Sequence, residues 1–252
     1  MASPSLVESA KLQAACQAVD NHVTPGVRRL GVGSGSTIVY AIERLKENRN
    51  DLHPDLVCIP TSFQSRMLLI EAGFRVGDLD EFPELDLAID GADEIDAQLN
   101  AIKGGGAAHL REKVVAAAAR SFILIADHRK DSKTLGEQWK KGIPIEVIPF
   151  AYNTVKAKIE QLADSTDLAK GAYSAPAPRA HLRMATAKAG PVVTDSGNLI
   201  LDADFGLIRD PLKLLGVLKM LPGVVEVGLF CGMANKAYFG LADGSTTCRM
   251  PC

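Results

Sequence analysis

Residues 30–37 read Leu-Gly-Val-Gly-Ser-Gly-Ser-Thr, a short apolar run that enters a turn of alternating glycine and hydroxyl residues. Behind the turn, Ile38, Ile42 and Leu45 fall at i, i+4 and i+7, which is the spacing of one face of a helix. The pattern predicts a β-strand, a tight turn and an α-helix in that order. Such a unit is typical of α/β proteins.

The same alternation continues through the first half of the chain. The predicted strands cover residues 56–59, 85–89 and 122–126, and the predicted helices cover residues 10–19, 67–72 and 111–119. Strands that alternate with helices form a parallel sheet covered on both faces. This part of the chain therefore predicts a Rossmann-like domain.

The regular alternation of predicted strands and helices ends near Ile145. From there to residue 228 the pattern predicts strand, helix, strand, strand, helix and strand, which is the ferredoxin-like unit. Residues 236–240 carry aromatic side chains suited to one more strand, which returns to the first domain. The expected fold is α/β, with a Rossmann-like parallel-sheet domain at residues 1–147 and 229–252 and a smaller α+β domain at residues 148–228.

Composition narrows the class of protein. The 252 residues include 28 Lys and Arg against 30 Asp and Glu, so the net charge of −2 offers no basic field for nucleic acid or an anionic membrane. No apolar run approaches the roughly 20 residues of a spanning helix. Residues 1–9 lack a secretion-signal pattern, and the five cysteines form no C-x-x-C pair. We expect a cytoplasmic protein with no nucleic-acid or membrane partner.

The glycine-serine turn is a candidate anion site. Its glycines let backbone N–H groups converge, the following helix N-terminus favours negative charge, and Ser34, Ser36 and Thr37 supply hydroxyls. The alternative is an ordinary strand-to-helix turn with a Ser or Thr cap. A dinucleotide fingerprint would need glycine where Ser36 stands, and no Lys precedes the Ser/Thr as in a Walker A loop. A small phosphorylated metabolite fits this turn better than a nucleotide.

Four carboxylates follow the strand predicted at residues 85–89. They are Asp90, Asp93, Glu94 and Asp96. Open α/β sheets bind their ligands at the carboxyl ends of strands, so these groups are candidates to bind sugar hydroxyls or to move protons. A solvated turn is the alternative. A metal site ranks below both, because the spacing is not that of a calcium loop and no histidine lies nearby.

A third turn contains Lys103 followed by three glycines at residues 104–106, with Glu112 just inside the next predicted helix. Consecutive glycines mark either a close backbone approach or a flexible loop. Glu112 alone would ordinarily be a solvated ion-pair partner, and His109 is assigned no role. Together, a phosphate turn, a cation and a possible base describe proton transfer next to a carbonyl in a sugar phosphate, with no cofactor.

Five motifs, taken in order, resemble the ribose-5-phosphate isomerase type A family. They are GVGSGST at 31–37, PTSFQS at 60–65, DLAIDGADEID at 86–96, KGGGAA at 103–108 and REK at 111–113. The resemblance covers nearly the whole chain. It implies reversible conversion of ribose 5-phosphate to ribulose 5-phosphate in the pentose phosphate pathway, without metal or cofactor, by a homodimer or homotetramer.

The resemblance also implies residue roles. Glu112 would shuttle a proton between C2 and C1 through an enediolate, and Lys103 would stabilise the oxyanion together with the glycine N–H groups. Asp90 and Asp93 would hold sugar hydroxyls and assist ring opening, with either one open for the latter task. The implied substrate-binding residues are Ser34, Gly35, Ser36, Thr37, Asp90, Gly91, Ala92, Asp93, Lys103, Gly104, Gly105, Gly106 and Lys130.

Two other functions are alternatives to this one, and the sequence differs from the family pattern at one position in the first helix. A sugar-phosphate-sensing domain of a transcriptional regulator would keep the phosphate turn but would not need Lys103 and Glu112. A nicotinamide-dependent dehydrogenase is disfavoured by Ser36 in the glycine turn. Leu12 stands where relatives often carry a lysine in the first helix, while Lys11 is adjacent.

Overall fold

The structure of the protein is a computed structural model that describes residues 5–162 and 169–251. Among these residues the helices are α1 (Leu6–His22), α2 (Ser36–Glu47), α3 (Phe63–Glu71), α4 (His109–Ala118), α5 (Tyr152–Glu160) and α6 (Pro211–Lys219). The strands are β1 (Arg29–Val32), β2 (Val57–Pro60), β3 (Arg75–Val76), β4 (Leu87–Gly91), β5 (Glu94–Ile95), β6 (Ala101–Ile102), β7 (Phe122–Asp127), β8 (Ile143–Val147), β9 (Arg179–Leu182), β10 (Leu199–Asp204), β11 (Val224–Val227), β12 (Leu229–Phe230), β13 (Lys236–Gly240) and β14 (Thr246–Arg249).

The described residues group into two compact units. The first contains the chain up to Ala92, then Arg111–Asp131, and the chain from Gly232 onward. The second contains Asp93–Leu110 and Ser132–Cys231. This division differs from the predicted boundaries, because residues 93–110 and 132–147 group with the second unit, as do residues 229–231. Residues 1–4 and 252, the ends of the predicted first domain, lie outside the described residues.

The first unit is built on a sheet of order β14-β13-β7-β4-β1-β2-β3. Its strands are parallel except for β14, which pairs antiparallel with β13. From β1 the chain moves outward to β2 and β3 and then returns to place β4 on the other side of β1. This is the Rossmann strand order, with its topological switch point between β1 and β4. The predicted parallel sheet, including the returning strand β13, is confirmed.

Helix α1 packs against this sheet at very short range. Its buried positions are all small or β-branched, namely Ala10, Ala14, Ala15, Ala18 and Val19. A Cβ atom at Gly240 of β13 would lie 1.8 Å from the Ala10 carbonyl oxygen. Alanines on one surface and a glycine on the other therefore let the two backbones meet, and the contact excludes any larger side chain at residue 240.

The second unit contains an antiparallel sheet of order β11-β8-β10-β9. With α5 after β8 and α6 after β10, the chain order is strand, helix, strand, strand, helix, strand. This matches the predicted ferredoxin-like unit. A small second sheet, β12-β6-β5, leads into the glycine loop at residues 104–106. Within the described ranges, no helix combines the length and apolarity needed to cross a membrane.

We expect Gly240→Ala to lower the free energy of unfolding by about 1–3 kcal/mol, the usual cost of overpacking, because its methyl group would collide with the backbone of α1. Gly26→Ala is the matched control, since the nearest atom to a Cβ there is Thr24 Oγ1 at 3.6 Å. Urea unfolding measures both variants. Equal unfolding free energies would contradict the close packing of α1 on β13.

Candidate active site

The turn after β1 is joined to the end of β4 by one carboxylate. Asp90 is buried, and its Oδ1 accepts hydrogen bonds from the backbone N–H of Ser34 at 3.1 Å and of Gly91 at 2.7 Å. The Gly33 N–H donates to the Ile89 carbonyl at 2.9 Å. A Cβ at Gly33 would lie 1.8 Å from Asp90 Oδ1, so only glycine fits this position. The turn and the acidic loop therefore meet at the switch point of the sheet.

The same turn is also braced by the start of α3. The Ser34 hydroxyl donates to Ser62 Oγ at 2.6 Å and lies 2.8 Å from Thr61 Oγ1. The Gly35 N–H donates to Gln64 Oε1 at 2.8 Å. Ser62 itself caps α3 through a capping box. The PTSFQS motif at residues 60–65 thus holds the turn in place, a role that its sequence alone does not predict.

The N-terminus of α2 has the form of an anion site. Helix α2 begins at Ser36, and its N-cap residue is Gly35, which has φ of 98° and no side chain to cap the first N–H groups. Lys11 of α1 donates to Ser36 Oγ at 3.0 Å and to Glu8 Oε1 at 2.8 Å. These bonds bring a cation to the turn. The hydrogen bond from Lys11, with a second one from Tyr40, also lowers the pKa of Glu8.

Lys130 follows β7 at the carboxyl edge of the same sheet. It ends the short 3-10 helix His128–Lys130 and is half-buried. The preceding Asp127 is buried, and burial alone would raise its pKa, but the Arg129 guanidinium at 2.6 Å holds the pKa below its ordinary value. The segments after β1, β4 and β7 therefore all lie at the ligand-binding edge of the parallel sheet.

The remaining carboxylates of the acidic cluster have different roles. Glu94 is fully buried and accepts hydrogen bonds from Ser132 Oγ, the Gly136 N–H and the Gln138 N–H at 2.6–2.7 Å. Asp96 closes a local turn by accepting from Gln98 and Asn100. Both side chains are structural.

Asp93 is half-buried and accepts the Gly105 N–H at 2.7 Å. That bond ties the acidic cluster to the glycine loop within the second unit. Among residues 5–162 and 169–251, no cluster of three or more His, Cys, Asp or Glu side chains is arranged to hold a metal ion.

The loop that contains the three glycines is packed rather than loose. Gly104 has φ of 106°, and a Cβ there would lie 2.6 Å from His109 Nδ1. A Cβ at Gly105 would lie 2.8 Å from the indole of Trp139, whereas nothing lies within 4 Å of one at Gly106. Gly105 and Gly106 are exposed. A close backbone approach therefore requires glycine at residues 104 and 105, where the flexible-loop interpretation is not supported, but not at residue 106.

His109, to which the sequence analysis assigned no role, is completely buried beneath this loop. Its Nε2 lies 3.9 Å from Oε2 of the buried Glu146. Burial raises the pKa of Glu146, although hydrogen bonds from Asn198 and Thr194 oppose that rise. The histidine packs where a side chain on Gly104 would otherwise point, so it helps to shape the loop.

Lys103 and Glu112 are both buried charged residues. Lys103, in the second unit, is 2% exposed, and its Nζ lies 5.3 Å from the centroid of the Phe230 ring. Glu112, in the first unit, lies in the first turn of α4 and is 6% exposed. Burying an ionisable group costs free energy, so such groups are candidates for chemistry. A solvated ion pair, the ordinary role of a helix glutamate, does not describe Glu112.

The fold and these residues define a class: an α/β protein with a glycine-serine turn and an acidic loop at the switch point of its parallel sheet, the place where open α/β sheets bind their ligands. The model of the family "Ribose 5-phosphate isomerase A (phosphoriboisomerase A)" matches residues 57–244. The chain belongs to the ribose 5-phosphate isomerase A family.

Individual relatives agree with this assignment. A ribose-5-phosphate isomerase of Cryptococcus neoformans is 51% identical over 245 residues, covering 96% of this chain and 80% of the relative. A ribose-5-phosphate isomerase of Homo sapiens is 51% identical, covering 97% and 74%. A solved D-ribose-5-phosphate isomerase in complex with phospho-erythronic acid superposes with a TM-score of 0.86 at 36% identity, covering 97% of this chain and 99% of that one.

We expect Asp90→Ala to lower the free energy of unfolding by about 1–3 kcal/mol, because two N–H groups lose a buried acceptor. Asp90→Asn keeps a carbonyl oxygen at the same position and should lose less. Urea unfolding of both variants measures the difference. If the two variants lose equal stability, the bonds to Ser34 and Gly91 do not hold the turn.

Proposed function

We propose that this protein interconverts ribose 5-phosphate and ribulose 5-phosphate by an enediolate proton shuttle in the non-oxidative branch of the pentose phosphate pathway. The observation that carries the proposal is that Glu112, the candidate base, and Lys103, the candidate stabiliser of the oxyanion, are both buried, at 6% and 2% exposure. The relatives named ribose-5-phosphate isomerase support the choice of substrate.

We assign the phosphate group of the substrate to the turn at residues 34–37 and the N-terminus of α2. Backbone N–H groups and the helix dipole favour a dianion there, and the hydroxyls of Ser36 and Thr37 add donors. Lys11, 3.0 Å from Ser36 Oγ, supplies the positive charge. Lys130 is proposed as a further substrate contact.

We assign the sugar hydroxyls to the acidic loop of Asp90, Gly91, Ala92 and Asp93. Opening the furanose ring requires a proton to leave the C1 hydroxyl and a proton to reach the ring oxygen. Carboxyl groups can carry out both transfers. Asp90 Oδ1 accepts hydrogen bonds from two backbone N–H groups, and these bonds fix the orientation of the second carboxylate oxygen.

We assign the isomerisation to Glu112 and Lys103. The Glu112 carboxylate removes the C2 proton of the open-chain aldose, and the C1 carbonyl oxygen becomes the enediolate oxygen. The proton of the C2 hydroxyl then passes to O1, which leaves the negative charge on O2. The same carboxyl group returns its proton to C1, and C2 becomes the carbonyl carbon of the ketose. Lys103 and the N–H groups of Gly104 and Gly106 stabilise the negative charge on oxygen. The Gly105 N–H is engaged by Asp93, so Gly105 acts by fixing that carboxylate.

This reaction moves hydrogen within one substrate molecule, so it needs no redox cofactor, and we propose that Lys103 and the N–H groups stabilise the oxyanion in place of a metal. We further propose that the protein works in the cytoplasm as a homodimer or homotetramer, with no nucleic-acid or membrane partner. The net charge of −2 supports the last point. A sugar-phosphate sensor would have no use for two buried charges of opposite sign, each of which lowers stability unless it is compensated.

We expect Glu112→Gln to lower kcat by about 10²–10⁴, the usual contribution of a positioned general base, while folding is retained. Glu71→Gln, at an exposed position of α3, is the matched control and should leave kcat unchanged. Isomerisation is followed directly with purified protein in EDTA. Binding of the sugar phosphate without turnover by the wild-type protein would instead identify a sensor, and wild-type kcat in Glu112→Gln would refute the assignment of the base.

We expect Ser36→Ala and Lys11→Gln each to raise KM for ribose 5-phosphate by about 10- to 100-fold with a smaller change in kcat. A hydrogen bond to a charged group contributes about 1.5–3 kcal/mol, and the phosphate is bound in both ground and transition states. Lys46→Gln, near the far end of α2, is the control. An unchanged KM in both variants would place the phosphate elsewhere.

A further inference from the structure

Arg183, which follows β9 in the second unit, makes two sets of hydrogen bonds with one guanidinium group. Its Nε and Nη2 form a two-point pair with the Asp202 carboxylate of β10, with Nε 2.8 Å from Oδ2. Its Nη1 donates to the carbonyl oxygen of Gly104 at 2.8 Å and of Gly105 at 3.2 Å. The planar fork of arginine suits this arrangement, because the carboxylate fixes its plane and the remaining nitrogen is aimed at the loop.

The bonds to the two carbonyls also set the direction of N–H groups. A peptide unit is planar and trans, so its C=O and its N–H point in opposite directions. Holding the Gly104 carbonyl orients the Gly105 N–H, which donates to Asp93 at 2.7 Å. Holding the Gly105 carbonyl orients the Gly106 N–H in the same way. Arg183 therefore fixes the directions in which the Gly105 and Gly106 N–H groups point.

Such control is needed because glycine peptides rotate easily. Three consecutive glycines have the broadest backbone freedom of any sequence, and no side chains of their own limit their orientation. Trp139 and His109 fill the space that side chains would occupy and restrict the position of the loop. Packing alone does not choose between two orientations of a peptide plane, whereas a donor aimed at its carbonyl does.

We propose that Arg183, held by Asp202, is a positioning residue that orients the Gly104–Gly105 and Gly105–Gly106 peptide units, so that the Gly105 N–H holds Asp93 and the Gly106 N–H stabilises the enediolate. The inference rests on the proposed function. Arg183 acts through the glycine carbonyls and does not contact the substrate. It lies 79 positions along the chain from Gly104, and no motif connects the two segments.

We expect Arg183→Ala to lower kcat by about 10- to 100-fold, less than the 10²–10³ lost when an oxyanion donor is deleted, with KM changed by less than about threefold. Arg183→Lys should recover part of kcat, because one ammonium can reach a carbonyl but cannot pair with both Asp202 oxygens. Arg179→Ala is the matched control and should behave as wild type, because Arg179 is an exposed arginine at the start of β9, the strand that Arg183 follows.

Chemical rescue separates positioning from a general loss of stability. Millimolar guanidinium chloride should raise kcat of Arg183→Ala in a saturable manner and leave wild type and Arg179→Ala unchanged, while sodium chloride has no effect. Hydrogen exchange of a peptide covering residues 103–108 should be faster in Arg183→Ala and slow again on addition of guanidinium. Wild-type kcat in Arg183→Ala, or lost kcat that guanidinium does not restore, would overturn the inference.

The outcomes for the inference and for the proposed function are distinct. A wild-type protein that does not isomerise ribose 5-phosphate refutes the proposed function, and with it the enediolate role given to the loop. Exchange at residues 103–108 then still decides whether Arg183 orders these peptides. Normal wild-type activity with an unaltered Arg183→Ala variant refutes the inference alone.

Discussion

In the first unit, the arrangement of the glycine-serine turn and the acidic loop depends on one buried carboxylate, Asp90. Strands β1 and β4 are neighbours in the sheet, so the turn after β1 passes close to the end of β4. It can do so only because Gly33 has no Cβ atom to collide with Asp90. A buried carboxylate is costly unless hydrogen bonds replace its lost hydration. The N–H groups of Ser34 and Gly91 supply those bonds. The same contacts therefore satisfy Asp90 Oδ1 and hold the glycine-serine turn against the acidic loop.

In the second unit, the glycine loop follows a related rule. The backbone at Gly104 and Gly105 passes so close to His109, Trp139 and Asp93 that side chains are excluded, and its peptide groups are then held by charged partners. Arg183 binds the carbonyl side and Asp93 binds one N–H. Glycine provides the close approach, and the neighbouring charges remove the freedom that glycine introduces. Neither feature alone would produce an ordered set of donors.

Much of the site was predictable because its motifs are continuous in sequence. The turn at residues 31–37, the acidic segment and the glycine loop were each found from residue type and from their position after a strand. The acidic cluster shows the limit of this approach. Its four carboxylates are equivalent in sequence, yet Glu94 and Asp96 serve buried hydrogen-bond networks. Lys11 is not among the predicted site residues for a similar reason, because its hydrogen bond to Ser36 depends on how α1 packs beside α2.

The sequence by itself determined the succession of strands and helices, the α/β class, the ferredoxin-like unit and the family. These properties follow from local features of the sequence: the periodicity of apolar residues, the residue types in turns, and motifs that are continuous in the chain. Only the tertiary structure decided which unit residues 93–110 and 132–147 join, which carboxylates are structural, and that Arg183 meets Gly104. Those outcomes depend on hydrogen bonds and packing between segments far apart in the chain. A local sequence pattern does not indicate which distant segment will form these contacts.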